Sequence, residues 1–218
     1  MTFDLFDAPG AIAGQAREPL AEGAALLRGF AREAEATLFA DVCAVIEAAP
    51  LRHLTTPGGL RMSVAMTNCG ALGWVSDRRG YRYDAVDPER MRPWPTLPDS
   101  FRALAARAAA EAGFTGFAPD ACLINRYLPG TKLSLHQDRD ECDLGAPIVS
   151  VSLGLPAVFL FGGLQRAAKT QRVSLRHGDV VVWGGASRLR FHGVMPLAAG
   201  DHALLGAQRI NLTFRRAG

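Results

Sequence analysis

The side chains that could do chemistry include the run His136-Gln137-Asp138, which lies in a segment typical of a β-strand. Side chains at positions i and i+2 of a strand point to the same face, so we expect His136 and Asp138 to project together and Gln137 to point away. A further histidine, His192, follows in the run Phe191-His192-Gly193. Two histidines and one carboxylate can hold non-haem Fe(II) and leave coordination positions open for oxygen and substrate.

The three residues do not decide the chemistry alone. A His/His/carboxylate set with bound water is also a catalytic zinc site. A His-x-Asp match is short, and both histidines could equally be hydrogen-bonded polar residues at a sheet edge. At this point iron, zinc and a purely structural role all remain open.

The last alternating segment, 209–215, adds a second cluster of polar side chains. One face is apolar, and the other carries Arg209, Asn211, Thr213 and Arg215. If this polar face is buried it needs an anionic partner, because unpaired buried charge is costly. A small dicarboxylate would satisfy both arginines with bidentate hydrogen bonds. Asn125 and Tyr127 repeat the pattern on an earlier strand, and the alternative is a solvated face with surface arginines.

The elements that must position these residues are mostly strands. Residues from 121 onward have a period of two, which predicts strands at 121–128, 133–137, 147–153, 157–161, 171–176, 179–183, 189–194 and 208–215. Many short strands with turns between them are typical of a sandwich or jelly roll. The uncharged stretch 144–165 is long enough for a membrane span, but its prolines, glycines and serines favour two buried strands.

Two helices are predicted ahead of these strands. Apolar residues in 38–49 repeat at helical spacing, and Pro50 ends that helix. The second helix begins at the capping pair Asp99-Ser100 and ends at Gly113. We expect both helices to pack against one face of the sheets.

Two further stretches have little pattern. Residues 1–20 are interpreted as an N-terminal arm. Residues 55–95 are irregular, and a loop-rich stretch of this length inside a compact domain is often a lid or binding loop. This stretch contains an aromatic cluster of Trp74, Tyr81, Tyr83 and Trp94.

Composition excludes several classes of protein. Of the 218 residues, 49% are hydrophobic and 21% are charged, which argues against disorder. The net charge of +3 is too mild to indicate nucleic-acid binding by itself. The four cysteines form no Cys-x-x-Cys pair, and Asp4 and Asp7 stand where a secretory signal would be basic. We therefore expect a reducing, cytoplasmic location.

Five segments together resemble the AlkB family of Fe(II)- and 2-oxoglutarate-dependent dioxygenases. They are 119–127 (PDACLINRY), 133–138 (LSLHQD), 147–154 (PIVSVSLG), 177–185 (HGDVVVWGG) and 209–215 (RINLTFR). The stretches 56–59 and 62–70 also match and are closest to the bacterial DNA-repair branch. The resemblance runs from about Glu18 to Arg216.

The resemblance implies an α+β, mainly β fold, a double-stranded β-helix or jelly roll with flanking N-terminal helices and a nucleotide-recognition lid. A single dioxygenase domain would span 21–218, with the lid at about 55–95 and the jelly-roll core at about 119–216. The implied activity is oxidation of an N-alkyl group on a damaged base, with O2 as oxidant and aldehyde, succinate and carbon dioxide as products.

The resemblance also implies roles for individual residues. The Fe(II) ligands would be His136, Asp138 and His192. The 2-oxoglutarate ligands would be Arg209, Asn211 and Tyr127 at the distal carboxylate and Asn125 and Arg215 at the keto-acid end. The substrate contacts would be Trp74, Tyr81, Tyr83, Asp140 and Arg166. Aromatic rings can stack on an unpaired base, and a carboxylate at Asp140 favours a base made cationic by methylation.

The expected partner is alkylated single- or double-stranded DNA, or RNA, with no membrane and no obligate protein partner, and the expected state is a monomer. Three alternatives remain open. The same dioxygenase could act on protein side chains or small molecules. The chain could be a nucleic-acid-binding module with a degenerate site, or a zinc hydrolase.

Overall fold

The computed structural model describes residues 17–218. In this range the helices are α1 (Glu35–Ala48) and α2 (Asp99–Glu111), with short 3-10 helices at Arg32–Ala34 and Gly185–Ser187. The strands before α2 are β1 (Arg17–Ala21), β2 (Ala24–Leu27), β3 (Ala65–Gly70), β4 (Gly73–Asp77), β5 (Gly80–Asp84), β6 (Val86–Asp87) and β7 (Arg92–Pro93). Those after it are β8 (Ala121–Tyr127), β9 (Leu133–His136), β10 (Ile148–Gly154), β11 (Ala157–Phe161), β12 (Gln171–Leu175), β13 (Val180–Trp183), β14 (His192–Val194) and β15 (Arg209–Arg215).

Two antiparallel sheets form the body of the described chain. The larger has seven strands in the order β1-β2-β13-β10-β15-β8-β3, and the smaller has four in the order β12-β11-β14-β9. Strands far apart in sequence are neighbours, as the crossed connections of a jelly roll require. The expected double-stranded β-helix with flanking helices is confirmed.

The larger sheet buries both of its faces. On one face, Val151 and Leu212 pack with apolar side chains of α1 and α2. On the other, Tyr127 and Trp183 pack with side chains of the smaller sheet, such as Phe159. Because strand side chains alternate, the polar residues of β15 that accompany Tyr127 face the space between the two sheets. The candidate site therefore lies inside the jelly roll.

The predicted strands after residue 121 all form, with ends that differ by a few residues. The uncharged stretch 144–165 contains β10 and β11, as predicted. No helix within residues 17–218 is long and apolar enough to cross a membrane. The four cysteines all lie in this part of the chain and are free thiols.

The interpretation of two stretches needs correction. Arg17–Ala21 is a strand at the sheet edge, paired with β2, rather than the end of an arm; residues 1–16 lie outside the described part. Residues 55–95 are not simply irregular, because β3 belongs to the larger sheet and β4 and β5 form a hairpin.

Both helices form where the sequence predicts them, but α2 is not capped as expected. The residue before its first turn is Pro98, and no side chain caps the helix. The Ser100 hydroxyl instead donates to the carboxylate of Asp41 on α1. The polar pair therefore ties the two helices together.

Candidate active site

β9 and β14 bring the two histidines together. His136 lies directly opposite His192 in this ladder, and their ring centroids are 4.4 Å apart. Asp138 joins them, with Oδ1 3.6 Å from His136 Nε2 and Oδ2 3.6 Å from His192 Nε2. The three ligand atoms lie within 4.8 Å of one another. This is the donor set that a metal site of two imidazoles and one carboxylate requires.

Backbone carbonyls orient both imidazoles. Nδ1 of His136 donates to the Ser134 carbonyl at 2.8 Å, and Nδ1 of His192 donates to the Arg190 carbonyl at 3.0 Å. With the proton on Nδ1, each Nε2 lone pair is free for a metal. Desolvation and the adjacent His192 ring lower the pKa of His136 to about 4. This ring is therefore neutral at neutral pH, as a metal ligand must be.

The sequence pattern predicted that Asp138 lies on the same strand as His136, and this prediction is wrong. β9 ends at His136, and Asp138 lies two residues beyond it, outside any strand. Gln137 points away as expected and donates to the Leu189 carbonyl at 2.5 Å. On the opposite strand, a Cβ on Gly193 would lie 2.7 Å from the Leu133 carbonyl oxygen. The glycine therefore permits the close approach that sets His192 against β9.

Arg215 on β15 binds Asp138 directly. Its Nη2 and Nε donate to Oδ2 of Asp138 at 2.6 and 3.0 Å. Burial alone would raise the pKa of Asp138, but Arg215, followed by His192, holds it well below its usual range. Burial alone would lower the pKa of Arg215, whereas Asp138 keeps it raised. The carboxylate is thus ionised and fixed in orientation beside both imidazoles.

Arg209 is buried beside Tyr127. It is 1% exposed, and its guanidinium carbon lies 4.9 Å from the centroid of the Tyr127 ring. Its Nε and Nη2 donate to the Ser152 hydroxyl at 3.1 and 2.7 Å, but Nη1 has no hydrogen-bond partner within residues 17–218. Desolvation lowers the pKa of Arg209. A buried guanidinium with a free donor is well suited to bind a carboxylate.

Two asparagines face each other near this arginine but differ in their bonding. Asn125 on β8 is directly opposite Asn211 on β15. The Asn211 amide donates to the Ser150 hydroxyl at 2.8 Å and the Val151 carbonyl at 2.9 Å, and its oxygen accepts from Thr213 at 3.0 Å. The amide oxygen of Asn125 is buried without a partner in the described chain. Asn125 is therefore the one with free bonding capacity.

The β4–β5 hairpin presents two of the aromatic residues. Trp74 and Tyr81 are stacked, with ring centroids 5.5 Å apart and 13° between the planes. The Trp74 indole N–H donates to Asp140 at 2.8 Å, so Asp140 is not paired with its neighbour Arg139. Trp94 differs from the other members of the cluster, since it is 5% exposed and packs in a small core.

Neither of the other two predicted substrate contacts, Tyr83 and Arg166, takes part in the Trp74–Asp140 hydrogen bond. The Tyr83 hydroxyl donates to the buried carboxylate of Glu141 at 2.7 Å, and desolvation raises its pKa well above the usual value. Arg166 is exposed on the loop after β11, with its guanidinium 5.2 Å from the Phe191 ring centroid. The structure thus joins Trp74, Tyr81 and Asp140, turns Tyr83 toward the protein, and leaves Arg166 on a separate loop.

Comparisons with known proteins identify the family. The sequence model of the 2OG-Fe(II) oxygenase superfamily matches residues 23–215. The chain is 60% identical over 202 residues to Escherichia coli (strain K12) alpha-ketoglutarate-dependent dioxygenase AlkB, covering 93% of this chain and 94% of that protein. The chain belongs to the AlkB family. The Caulobacter vibrioides AlkB homologue is 45% identical over 185 residues, covering 84% of this chain and 82% of that protein.

Solved structures agree with this family. The structure of OsALKBH1 covers 92% of this chain and 100% of its own, with a TM-score of 0.80 and 28% identity. As a member of the AlkB family, the protein is an Fe(II)- and 2-oxoglutarate-dependent dioxygenase that uses O2.

The residues present fit these groups. Two neutral imidazoles and an ionised carboxylate suit Fe(II). The unpaired Nη1 of Arg209 is a buried, charged donor in the neighbouring interior that has no hydrogen-bond partner within residues 17–218. A dicarboxylate beside the three metal donors would supply the missing anion.

Two site residues were missed by the sequence analysis. Glu141 and Arg188 are buried, with their side chains 1% and 4% exposed, and they form an ion pair at 3.0 Å. Both stand close in sequence to metal donors, Glu141 after Asp138 and Arg188 before His192. That proximity is the only signal available, because a sequence does not show which charged residues are buried.

Proposed function

We propose that the protein removes N-alkyl groups from damaged bases of the 1-methyladenine and 3-methylcytosine type in DNA or RNA, a direct-reversal repair. Aldehyde, succinate and carbon dioxide are the products. The observation that carries this proposal is the hydrogen bond from the Trp74 indole to Asp140, which joins an aromatic ring to a carboxylate that follows Asp138 by two residues in the sequence. Such a pair suits a flat, cationic base held next to the metal donors.

We assign His136, Asp138 and His192 as the Fe(II) ligands. The bound ion, with 2-oxoglutarate and O2, supplies the oxidation of the alkyl carbon. The hydrogen bonds from Nδ1 to backbone carbonyls orient both imidazoles, and Arg215 keeps Asp138 ionised and oriented. Trp183 and Phe159 give the site an apolar wall beside His192, with ring centroids 4.9 and 6.0 Å from the imidazole.

The 2-oxoglutarate set is assigned by its place around Arg209. Arg209 and Tyr127 bind the distal carboxylate, and the pair Asn125 and Asn211 lies next to them in the same ladder. Ser152 positions the Arg209 guanidinium so that Nη1 remains available. Arg215 acts at the keto-acid end through its contact with Asp138 rather than by reaching the distal carboxylate.

Base recognition is assigned to Trp74, Tyr81 and Asp140. Stacked aromatic rings accept the face of an extruded base, and extrusion costs least where alkylation has already broken pairing. Arg166 is placed to meet a phosphate, since it is exposed on the loop near Phe191. Tyr83 contributes by holding Glu141 rather than by stacking.

Relatives in the family support a nucleic-acid substrate. Human nucleic acid dioxygenase ALKBH1 is 34% identical over 123 residues, covering 56% of this chain and 31% of that protein. We also propose that the chain forms a single dioxygenase domain, expected over 21–218 and extended to at least Arg17 by the pairing of β1 with β2, and that it acts as a monomer in the cytoplasm.

The proposed function is tested by incubating the protein with Fe(II), 2-oxoglutarate and a short oligonucleotide that carries one 1-methyladenine. We expect formaldehyde, succinate and restored adenine to appear together, as measured by mass spectrometry. The controls are the unmethylated oligonucleotide and a methylated peptide. Succinate formation stimulated by the peptide and not by the oligonucleotide would instead assign the enzyme to protein substrates.

A further inference from the structure

We propose that Tyr83, Glu141 and Arg188 are positioning residues that link the base-binding hairpin to the metal-ligand segment, so that iron chemistry is coupled to an occupied hairpin. The inference deepens the proposed function and rests on it. The residues concerned form one continuous chain of hydrogen bonds from β5 to Asp138. None of the three is assigned a role in the metal or 2-oxoglutarate site above.

Arg188 joins the two segments that supply the metal donors. It stands four residues before His192, and its Nη1 donates to the backbone carbonyl of Asp138 at 2.7 Å. Its Nε donates to the Ala146 carbonyl at 2.9 Å, which holds the far end of the same loop. In the opposite direction, Gln137 donates to the Leu189 carbonyl. Each ligand segment thus bonds to the backbone of the other, which fixes Asp138 relative to His192.

The carboxylate of Glu141 forms one ion pair with Arg188 and another with Arg215. Arg188 Nη2 lies 3.0 Å from Oε2 and Arg215 Nε lies 3.2 Å from Oε1. Arg215 is also the residue that binds Asp138. A buried ion network is weak evidence for stability, and in some proteins it specifies a conformation instead. Here the specified conformation is that of the segment between Asp138 and Glu141.

The β4–β5 hairpin forms hydrogen bonds to two consecutive acidic residues of the metal-ligand segment, Asp140 and Glu141. Trp74 and Tyr83 are directly opposite each other across the β4–β5 ladder, so their side chains share one face of the hairpin. Trp74 donates to Asp140 and Tyr83 donates to Glu141. A base bound against Trp74 and Asp140 would act on the first of these bonds. The second bond then keeps the hairpin attached to the metal-ligand segment.

The consequence is a coupling between base binding and metal geometry. While Tyr83 holds Glu141, a movement of the hairpin on base binding is transmitted through Arg188 and Arg215 to Asp138. Without the Tyr83 hydroxyl, a movement of the hairpin on base binding no longer changes the position of the metal donors. The enzyme would then consume 2-oxoglutarate and O2 in turnovers that do not oxidise a base, with an added reductant such as ascorbate supplying the two electrons that convert the remaining oxygen atom to water.

The test uses Tyr83→Phe, which removes one hydroxyl, and Ser76→Ala as the matched control. Ser76 lies on the same hairpin, and its hydroxyl donates to the Thr55 carbonyl, away from the network. We expect Tyr83→Phe to raise the succinate formed per base restored by about tenfold, the lower end of the effect of removing a residue that supports metal ligands. The KM for 2-oxoglutarate should stay unchanged and the control should match the wild type.

A second readout does not require turnover. In the Co(II)-substituted protein with 2-oxoglutarate, adding methylated oligonucleotide should shift the visible absorption bands of the wild type and of Ser76→Ala, but not those of Tyr83→Phe. Arg188→Met should weaken Co(II) binding by about tenfold, with Arg188→Lys restoring part of it. If Tyr83→Phe matches the wild type in both the product ratio and the Co(II) spectrum, the coupling is overturned. A wild type that shows the spectral shift but restores no base refutes the proposed function and not the coupling.

Discussion

His136 and His192 are directly opposite residues of the β9–β14 ladder, so the register of two short strands determines the metal site. Strand side chains alternate between faces, and a slip of one residue would turn one imidazole away from the other. The ladder is irregular between His192 and Val194, and Gly193 lets the strands approach closely there. The site therefore depends on the backbone of Gly193, which supplies no ligand, as well as on the ligand residues themselves.

The first prediction concerns the metal. Replacing His136 with Ala removes one of three donors, and we expect Co(II) or Fe(II) binding and turnover to be lost while the melting temperature of the apoprotein changes little. Titration followed by visible absorption measures the binding. His53→Ala is the matched control, because His53 is exposed and bonds only to the Met62 carbonyl. Wild-type metal affinity in His136→Ala would contradict the assignment.

The second prediction concerns Arg209. Arg209→Met removes a buried charge that no carboxylate of residues 17–218 binds, so we expect the apoprotein to be as stable as the wild type or more stable. The KM for 2-oxoglutarate should rise about 10- to 100-fold, since a hydrogen bond to a charged group contributes about 1.5–3 kcal/mol.

The measurement for Arg209 is the melting temperature with and without 2-oxoglutarate. A ligand at 100 times its Kd stabilises the folded wild type by about 2.7 kcal/mol, and Arg209→Met should lose most of this gain at the same concentration. Arg102→Met, on the exposed side of α2, should retain it. Equal stabilisation of Arg209→Met and the wild type would exclude a carboxylate at Arg209.

The third prediction concerns the base. Trp74→Ala should weaken binding of a methylated oligonucleotide by about 1–3 kcal/mol, because it removes one stacking surface. Fluorescence anisotropy with a labelled strand measures this loss, and the KM for 2-oxoglutarate should stay at the wild-type value. If the KM for 2-oxoglutarate changes and oligonucleotide affinity does not, Trp74 supports the metal site rather than the base.

The fourth prediction concerns stability and pH. Asp87 is fully buried and accepts two hydrogen bonds from Arg52 at 2.7 and 2.8 Å. Burial would raise the pKa of Asp87, but Arg52 lowers it below the usual value. An aspartate with a depressed folded-state pKa stabilises the fold above its unfolded pKa of about 3.9, and this contribution disappears as the pH falls through the folded value.

We therefore expect Asp87→Asn to lower the free energy of unfolding by about 3 kcal/mol at pH 6. The difference from the wild type should shrink as the pH falls below about 4, where the unfolded carboxyl takes up a proton first, and it should disappear once the pH has passed the lower pKa of the native carboxyl. Urea unfolding at several pH values measures both proteins. A difference that is constant from pH 6 to pH 3 would show that the charge of Asp87 contributes nothing.

The sequence predicts the strands after residue 121 because their side chains alternate and their turns contain glycine or proline. The sequence does not predict β2 and β3 in this way. Every residue of both strands is buried, so buried and exposed side chains do not alternate along them. β3 even contains Asn68, which strands disfavour. That asparagine is satisfied by bonds to the backbone of Trp74, a contact that only the folded hairpin creates.

The sequence likewise predicts the residue types of the site but not the contacts between them. The residue types of the triad and of the β15 face indicate metal and anion binding, and the family resemblance selects iron and 2-oxoglutarate. The sequence does not reveal that Arg215 binds Asp138, or that Tyr83 turns inward to Glu141. Both contacts join residues more than fifty positions apart, and no local pattern records them.

The most direct measurement is a crystal structure of the protein with Mn(II) and 2-oxoglutarate, in which anomalous scattering locates the metal. The proposed function predicts one ion within about 2.3 Å of Nε2 of both histidines and of one Asp138 oxygen, with the distal carboxylate on Arg209 Nη1. An ion bound elsewhere, or a 2-oxoglutarate that does not contact Arg209, would contradict it.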